Sequence, residues 1–430
     1  MNTLLLELAG LGIYIDILED PAVNKLVSLL KLLDCGSADP EEIIRDYSGI
    51  YAVLLKNGCE NFYQYVENLS YQDENIFTLS CERREINAGD PLAKQAAVEL
   101  GILEKLARVS CTEIKNRIKK KFSGNMSVER ITDLLPDWNA ADENIRKKDW
   151  GSDVDKRIEW HGKNGTGLFC RYSFFVYDGI TQSFVPVKNP DPITLDRLYL
   201  VERQKELAVK NTRIFLSGKT ANNILFYGDR GTGKSSMVKA IANEFCRDGL
   251  RLIEVPKKYL EQLPKITSML SGRGLKFILF IDDIAFDNSE SEYTALKAVL
   301  EGGIEHRPDN ILLYATTNRR HIVKERFSER TGLYSDNPDD EVRARDAVQE
   351  KLSLSDRFGI TIVFSSPVKK EYLEIVHRMA EDRNIEIDPV LLEQKAMQWE
   401  LAYNGMSPRT ARQFIDWLQG EMELEINQVM

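Results

Sequence analysis

The segment Gly228-Asp-Arg-Gly-Thr-Gly233-Lys234-Ser235 constrains this chain more than any other. It is a complete GxxxxGK[ST] loop, preceded by the short apolar run Asn223–Tyr227 (NILFY) and followed by a stretch of helical texture, Met237–Phe245. A buried parallel strand, a glycine loop and a helix, in that order, are what this motif needs to cradle phosphate. Glycine lets backbone N–H groups curl around phosphate oxygens, and the positive end of the following helix adds attraction. Nucleotide contacts are therefore expected from Gly228, Asp229, Arg230, Gly231, Thr232, Gly233, Lys234, Ser235 and Ser236. Within that set Lys234 is expected at the β and γ phosphates and Ser235 on Mg²⁺.

Two more apolar runs end in polar residues. Phe277–Ile281 runs into Asp282-Asp283. Ligands of a doubly wound sheet gather at the carboxyl ends of its strands, so Asp282 reads as a Mg²⁺ ligand and Asp283 as the base that polarises the attacking water. Many hydrolytic relatives carry Glu at the second position, one methylene longer; the other reading of Asp283 is a cap for the next segment. Ile311–Ala315 runs into Thr316-Thr-Asn318-Arg-Arg320. Asn318 is placed to orient water against the γ-phosphate, although Thr-Thr-Asn also makes a good turn.

Composition limits the rest. The chain has 430 residues, 57 Lys plus Arg against 67 Asp plus Glu, and a net charge of -10. With 43% hydrophobic residues it can build two or three cores, and no run of 18 uncharged apolar residues exists to span a membrane. The start MNTLLLELAG lacks a basic n-region, and Cys35, Cys59, Cys81, Cys111, Cys170 and Cys246 are scattered without a zinc pattern. A cytoplasmic location is expected. An acidic balance excludes a global footprint for nucleic acid, and the run Lys115–Lys121 reads as a solvated helix face or, alternatively, a local patch.

The front of the chain reads as helices. Val23, Leu26, Val27, Leu30 and Leu33 line one helical face, and a second helix opens at Asp90-Pro91. From Arg146 to Gly167 the texture is that of a linker. Between Leu168 and Val187, β-branched and aromatic residues surround Asp178-Gly179, a hairpin signal, and a helical pattern starts at Thr194. The expected domains are a mostly α-helical one over 1–165, a β-hairpin and linker over 166–189, an α/β core with a parallel sheet over 190–366, and a C-terminal helical lid over 367–430.

Later arginines discriminate among nucleotide-binding folds. No NKxD base-reading motif and no LSGGQ-like signature is present, and a small-molecule kinase would leave these arginines unexplained. Arg357, in Leu354-Ser-Asp-Arg357-Phe-Gly359, lies where ring-forming ATPases of the AAA+ class keep the arginine that reaches a neighbouring subunit's γ-phosphate; a surface ion pair is the other reading. Ser407 and Pro408 open a helix as cap and first residue, so Arg409 projects from the first turn of the lid, with Arg412 as substitute or solvent-facing residue.

The series NPDPITLDRLYLVERQKE, NNILFYGDRGTGKSS, FILFIDDIAF, EKLSLSDRFG and SPRTARQF resembles the bacterial AAA+ family catalogued as domain of unknown function 815, within the P-loop NTPase superfamily, over Pro190–Leu418. Ser-Asp-Arg357-Phe-Gly and Ser-Pro-Arg409-Thr-Ala are also similar to segments of Holliday-junction branch-migration motors. The resemblance implies an ATP-binding AAA+ core with a helical lid. Adenine is expected near Leu198–Val201, and Pro264–Gly274 lacks the aromatic of a polypeptide-threading pore loop. Tyr259 reads as an inward-packing residue of a helix that begins at Lys257. The expectation is an Mg-dependent ATPase, a hydrolase that remodels a protein or nucleic-acid partner as a homo-oligomer, ring or filament, and binds no membrane. The alternatives are a DNA-directed loader or branch-migration-like motor, and a nucleotide-gated switch or scaffold with little hydrolysis. The acidic insert over Lys324–Arg345 reads equally as subunit contact, partner loop or disordered excursion.

Overall fold

The protein is described by a computed structural model covering residues 2–138, 148–284, 294, 296, 297, 299, 300, 308–318, 357–403 and 405–429. The Lys324–Arg345 insert lies outside these described residues. The chain forms two compact units, Met1–Arg171 and Tyr172–Met430.

The first unit is built from helices α1 (Asn2–Ala9), α2 (Pro21–Asp34), α3 (Pro40–Lys56), α4 (Phe62–Gln72), α5 (Ile76–Glu82), α6 (Pro91–Ala107), α7 (Cys111–Lys121), α8 (Met126–Leu134), α9 (Val154–Asn164) and α10 (Leu168–Arg171). Short polar side chains start them: Asp20 accepts the N–H groups of Ala22 and Val23 at α2, and Ser110 accepts that of Glu113 at α7. The apolar stripe of α2 buries Val23, Leu26, Leu30 and Leu33 against Tyr47, Phe62, Leu100 and Trp138. Glu99 of α6 is buried, and its carboxylate accepts the N–H groups of Gly12, Ile13 and Tyr14 at 3.1, 2.9 and 3.0 Å, closing the loop after α1.

One expectation changes here, and one alternative falls away. The segment read as a linker contains α9, whose buried positions are Val154, Arg157 and His161. Polar residues on the inner face hid the helical period from a hydrophobic reading. The basic run on α7 is spent inside the unit: Arg117 pairs with Asp34, Lys119 with Asp133 and Lys115 with Asp137, and Lys121 donates to the Cys35 carbonyl.

The second unit carries strands β1 (Phe174–Asp178), β2 (Ser183–Pro186), β3 (Ile224–Gly228), β4 (Leu250–Glu254), β5 (Lys276–Ile281), β6 (Ile311–Thr317) and β7 (Ile360–Phe364) in one sheet, ordered β2-β1-β4-β5-β6-β3-β7. Every neighbouring pair is parallel except β1 with β2. The hairpin is thus no separate bridge: β1 pairs with β4 from Phe174 opposite Leu252 to Val176 opposite Glu254, and extends the core sheet. β6 is buried at all seven positions, as a strand covered on both faces must be.

Helices α11 (Glu202–Leu216), α12 (Lys234–Phe245), α13 (Leu263–Ser271), α14 (Lys369–Asp382), α15 (Pro389–Ala402) and α16 (Pro408–Val429) complete this unit. The pattern that starts at Thr194 is not one helix. A 3-10 turn, Leu195–Arg197, is followed by Leu200 in the left-handed region at φ 56°, and α11 begins only at Glu202. This break lets the connector serve two cores, with Leu198 in the core of the sheet while Tyr199 and Leu200 pack on the Tyr372, Leu392 and Phe414 cluster of α14–α16. The buried Tyr314 hydroxyl meets Thr212 Oγ1 at 2.8 Å and Asn211 Nδ2 at 3.2 Å, fixing α11 on β6. The Lys257–Gln262 segment is a 3-10 helix, and Pro264–Gly274 is mostly α13, with Ile266 and Leu270 buried.

Candidate functional site

β3 ends at Gly228, where the backbone turns at φ 145°; a Cβ there would stand 1.8 Å from the Phe364 carbonyl oxygen of β7. Only glycine permits that approach. Gly231 and Gly233 follow at φ 77° and 96°, and Lys234 opens α12. Among the described residues, the N–H groups of Gly231, Thr232 and Gly233 find no acceptor in the protein. Thr232 Oγ1 donates to the Asp229 carbonyl at 2.8 Å, and the Asp229 carboxylate accepts from Ser366 Oγ at 2.8 Å, so the loop is pinned at its base.

The charged side chains form one continuous chain. Lys234 Nζ donates to the carbonyls of Gly228 and Asp229 at 2.8 and 2.6 Å and to Asn318 Oδ1 at 2.8 Å. Asn318 Nδ2 donates to Asp283 Oδ1 at 2.6 Å. Ser235 Oγ and Thr316 Oγ1 both donate to Asp282 Oδ1 at 2.6 Å, and Thr316 Oγ1 accepts the Asp283 N–H at 2.7 Å. Asp283 is a non-glycine residue at φ 54°, a conformation held by Asn318 and Thr316. Burial lowers the ammonium of Lys234 below its ordinary pKa, while Asp229, Asp282 and Asp283 pull it back up. Burial, then the charge of Asp282, raises Glu254 at the end of β4.

A cavity of about 560 Å³ opens over this network. Its walls include Arg230–Ser236, Asp282, Asp283, Thr316 and Asn318 from the core, and Met379, Pro408, Arg409 and Arg412 from the lid helices. The Arg409 N–H donates to the Gly231 carbonyl at 3.2 Å, and Ser407 Oγ accepts the Thr410 N–H at 3.1 Å, so the capped start of α16 sits on the loop. Of Leu198–Val201 only Leu198 lines this cavity, beside Ile193 and Arg197; Tyr199 lines a smaller adjoining one of about 120 Å³. Asn243 of α12 holds this rim by donating to the carbonyls of Asp191 and Ile193 at 2.8 and 2.7 Å.

Arg357 is not part of this assembly of residues. β7 runs parallel to β3 with Ile360 opposite Ile224 and Phe364 opposite Gly228, so Arg357 stands before the end of the sheet remote from the loop. Four residue steps at about 3.3 Å place even the start of β7 on the order of 13 Å from the loop end.

A family model described as protein of unknown function (DUF815) matches residues 170–422. The chain belongs to this family. The DUF815 core is an AAA+ P-loop fold: its five core strands, numbered in chain order from β3, lie in the order 2-3-4-1-5, with the phosphate loop after the first and the paired aspartates after the third. In part it is similar to the Thermotoga maritima RuvB Holliday junction branch migration motor, at 20% identity and a TM-score of 0.37, over 54% of this chain and 66% of that one. It is also similar to the Aeropyrum pernix ORC1 protein, solved in complex with DNA, at 15% identity and a TM-score of 0.38, over 53% of this chain and 61% of that one. This DUF815 chain spans just under two thirds of the motor's length, and no curated protein matches it.

Sequence reasoning missed four residues. Thr316 joins the two aspartates, Asn243 braces the cavity rim, Ser366 ties down Asp229, and Lys257 reaches Asp283 Oδ2 at 3.5 Å. Thr316 was accessible from its place one strand over from Asp282; Asn243 lies in the helix after the loop but at no motif position, and Ser366 and Lys257 come from segments with no motif.

Proposed function

We propose that this DUF815 protein binds Mg·ATP in the 560 Å³ cavity and hydrolyses it to ADP and phosphate, driving changes in a macromolecular partner. One observation carries the reading: open N–H groups at Gly231, Thr232 and Gly233 lie beside a Lys234–Asn318–Asp283 chain at the carboxyl ends of β3, β5 and β6. Open amide N–H groups at a helix start donate to phosphate oxygens. The hydroxyl of Ser235 and the carboxylate of Asp282 are hard oxygen donors that fit Mg²⁺. When bound, the ion neutralises charge on the phosphates.

Lys234 exchanges its loop carbonyls for phosphate oxygens. Asp283 accepts a proton from the attacking water, and Asn318, already bonded to Asp283, orients that water. Arg409 closes over the nucleotide from the lid. Arg357 cannot serve the phosphates of its own chain across the sheet, so it acts on those of a neighbour, which makes the protein a homo-oligomer, ring or filament. Its compartment in this reading is the cytoplasm, in keeping with six cysteines that form no disulfide; among the described residues no helix is long and apolar enough to cross a membrane.

Solution mass, with and without a slowly hydrolysed ATP analogue, together with ATP turnover, tests this reading. A nucleotide-dependent oligomer that releases phosphate supports it. A monomer that binds ATP without releasing phosphate leaves only a nucleotide-gated switch. Stimulation by DNA that fades steeply with salt would make the partner nucleic acid.

A further inference from the structure

Arg157 of α9 is 1% exposed, and among the described residues no carboxylate stands within ion-pairing distance of it. Its Nη1 donates to Ser70 Oγ at 3.0 Å, while its Nε is buried without a partner. Ser70 has little more to give, since its own hydroxyl donates to the Glu67 carbonyl at 2.7 Å. Aromatic rings line the rest: the guanidinium carbon lies 4.0 Å from the centre of the Tyr71 ring and 5.6 Å from that of Trp150. Ring faces attract a cation without neutralising it. The buried carboxylates of the unit are used elsewhere, Glu99 on the N–H groups of Gly12, Ile13 and Tyr14, Glu104 on Tyr63, Arg108 and Trp150, and Glu82 on the Thr166 N–H at 3.0 Å.

Two more wholly buried side chains within reach of this charge keep an unpartnered atom, Tyr14 at Oη and His161 at Nε2. His161 Nδ1 donates to the Gly165 carbonyl at 3.1 Å, so Nε2 carries the lone pair of a neutral ring. Burial first, and the Arg157 charge with it, keeps that ring neutral. A neutral lone pair does not balance a guanidinium, and a charge taken out of water without a counter-charge is strongly unfavourable. Buried polar groups left open in this way are where ordered water or an ion sits, and the uncompensated positive charge selects an anion over water.

We propose that the helical unit binds one small monatomic anion of the chloride class, held by Arg157 Nε and the Tyr14 hydroxyl, and that this anion fastens α9 to α4 and the loop after α1. Exposure of 0 or 1% at Tyr14, Arg157 and His161 restricts the ligand to one that sheds its water entirely, which excludes a phosphate or the carboxylate of a macromolecule. The site owes nothing to the nucleotide cavity or to its chemistry.

The experiment is a chloride titration of the full chain at constant ionic strength, with gluconate as the replacing anion. Chlorine-NMR line width reads binding, and amide exchange over Val154–Asn164 reads the docking of α9. Wild type should show saturable broadening that bromide displaces, and at ten times the midpoint concentration α9 should exchange about tenfold more slowly than in gluconate. Tyr14→Phe, which keeps the ring and removes one donor to the ion, should move the midpoint about tenfold higher. Arg157→Met should abolish both signals; should it not fold, Tyr14→Phe carries the test. Equal α9 exchange in chloride and gluconate overturns the proposal and leaves hydration alone at these groups. Broadening that neither bromide nor Tyr14→Phe alters belongs to the protein surface and overturns it too.

Discussion

Both units bury charge, and they do so to opposite ends. In the helical unit the buried carboxylates are fully spent: Glu99 holds three backbone N–H groups, and Glu104 takes the Tyr63 hydroxyl, the Arg108 guanidinium and the Trp150 N–H. In the sheet unit Lys234, Asn318 and Asp283 bind in series and Asp282 takes the hydroxyls of Ser235 and Thr316 at the mouth of a cavity, next to amides that have no partner among the described residues. Buried charge alone therefore does not mark a site. What marks it is charge placed where neighbouring donors stay open, because those donors have capacity left for a ligand.

The comparison breaks first on turnover. Arg357→Ala should lower kcat about 10³-fold or more while leaving nucleotide affinity intact, measured where the protein is oligomeric; a wild-type rate there would remove the in-trans role. Lys234→Ala should weaken ATP binding at least about 100-fold in titration calorimetry, since it removes the cation from the open-donor site. Glu99→Ala should do the reverse: about 3 kcal/mol lost from stability and loss of amide exchange protection at Ile13 and Tyr14, with ATP affinity unchanged. A fall in ATP affinity would show that the two units do not divide these tasks. The smallest effect at neutral pH belongs to His161, which burial holds at a pKa of about 4. The folded state binds this proton less readily than the unfolded chain, so His161 supports stability above about pH 6.5 and loses that support as pH falls toward 4. Thermal unfolding of His161→Gln relative to wild type should accordingly improve on acidification and show little difference at pH 8.

Legibility followed chemistry. The loop at Gly228–Ser235, the aspartates at the end of β5 and Asn318 could be read because each motif pairs a strand with a polar end, and the structure brings them into one network. Helix α9 could not be read, since its inner face carries Arg157 and His161 rather than leucines. The hairpin was visible as a hairpin, but its pairing with β4 was not, because strand order is settled between segments more than 70 residues apart in sequence. The basic run on α7, read first as a solvated helix face, keeps that reading, and Asp34, Asp133 and Asp137 opposite it remove the alternative of a local patch.

The sequence by itself determined the glycine loop between strand and helix, the identity of the polar residues that end the core strands, and the helix start at Ser407-Pro408, all of which depend on neighbours within a few residues. Tertiary structure alone decided three things: that Arg357 lies at the far end of the sheet, that Arg409 meets Gly231, and that Lys257 meets Asp283. The physical reason is the parallel sheet. Its crossovers gather the carboxyl ends of strands distant in sequence at one edge, and only the register between strands says which side chains then share it.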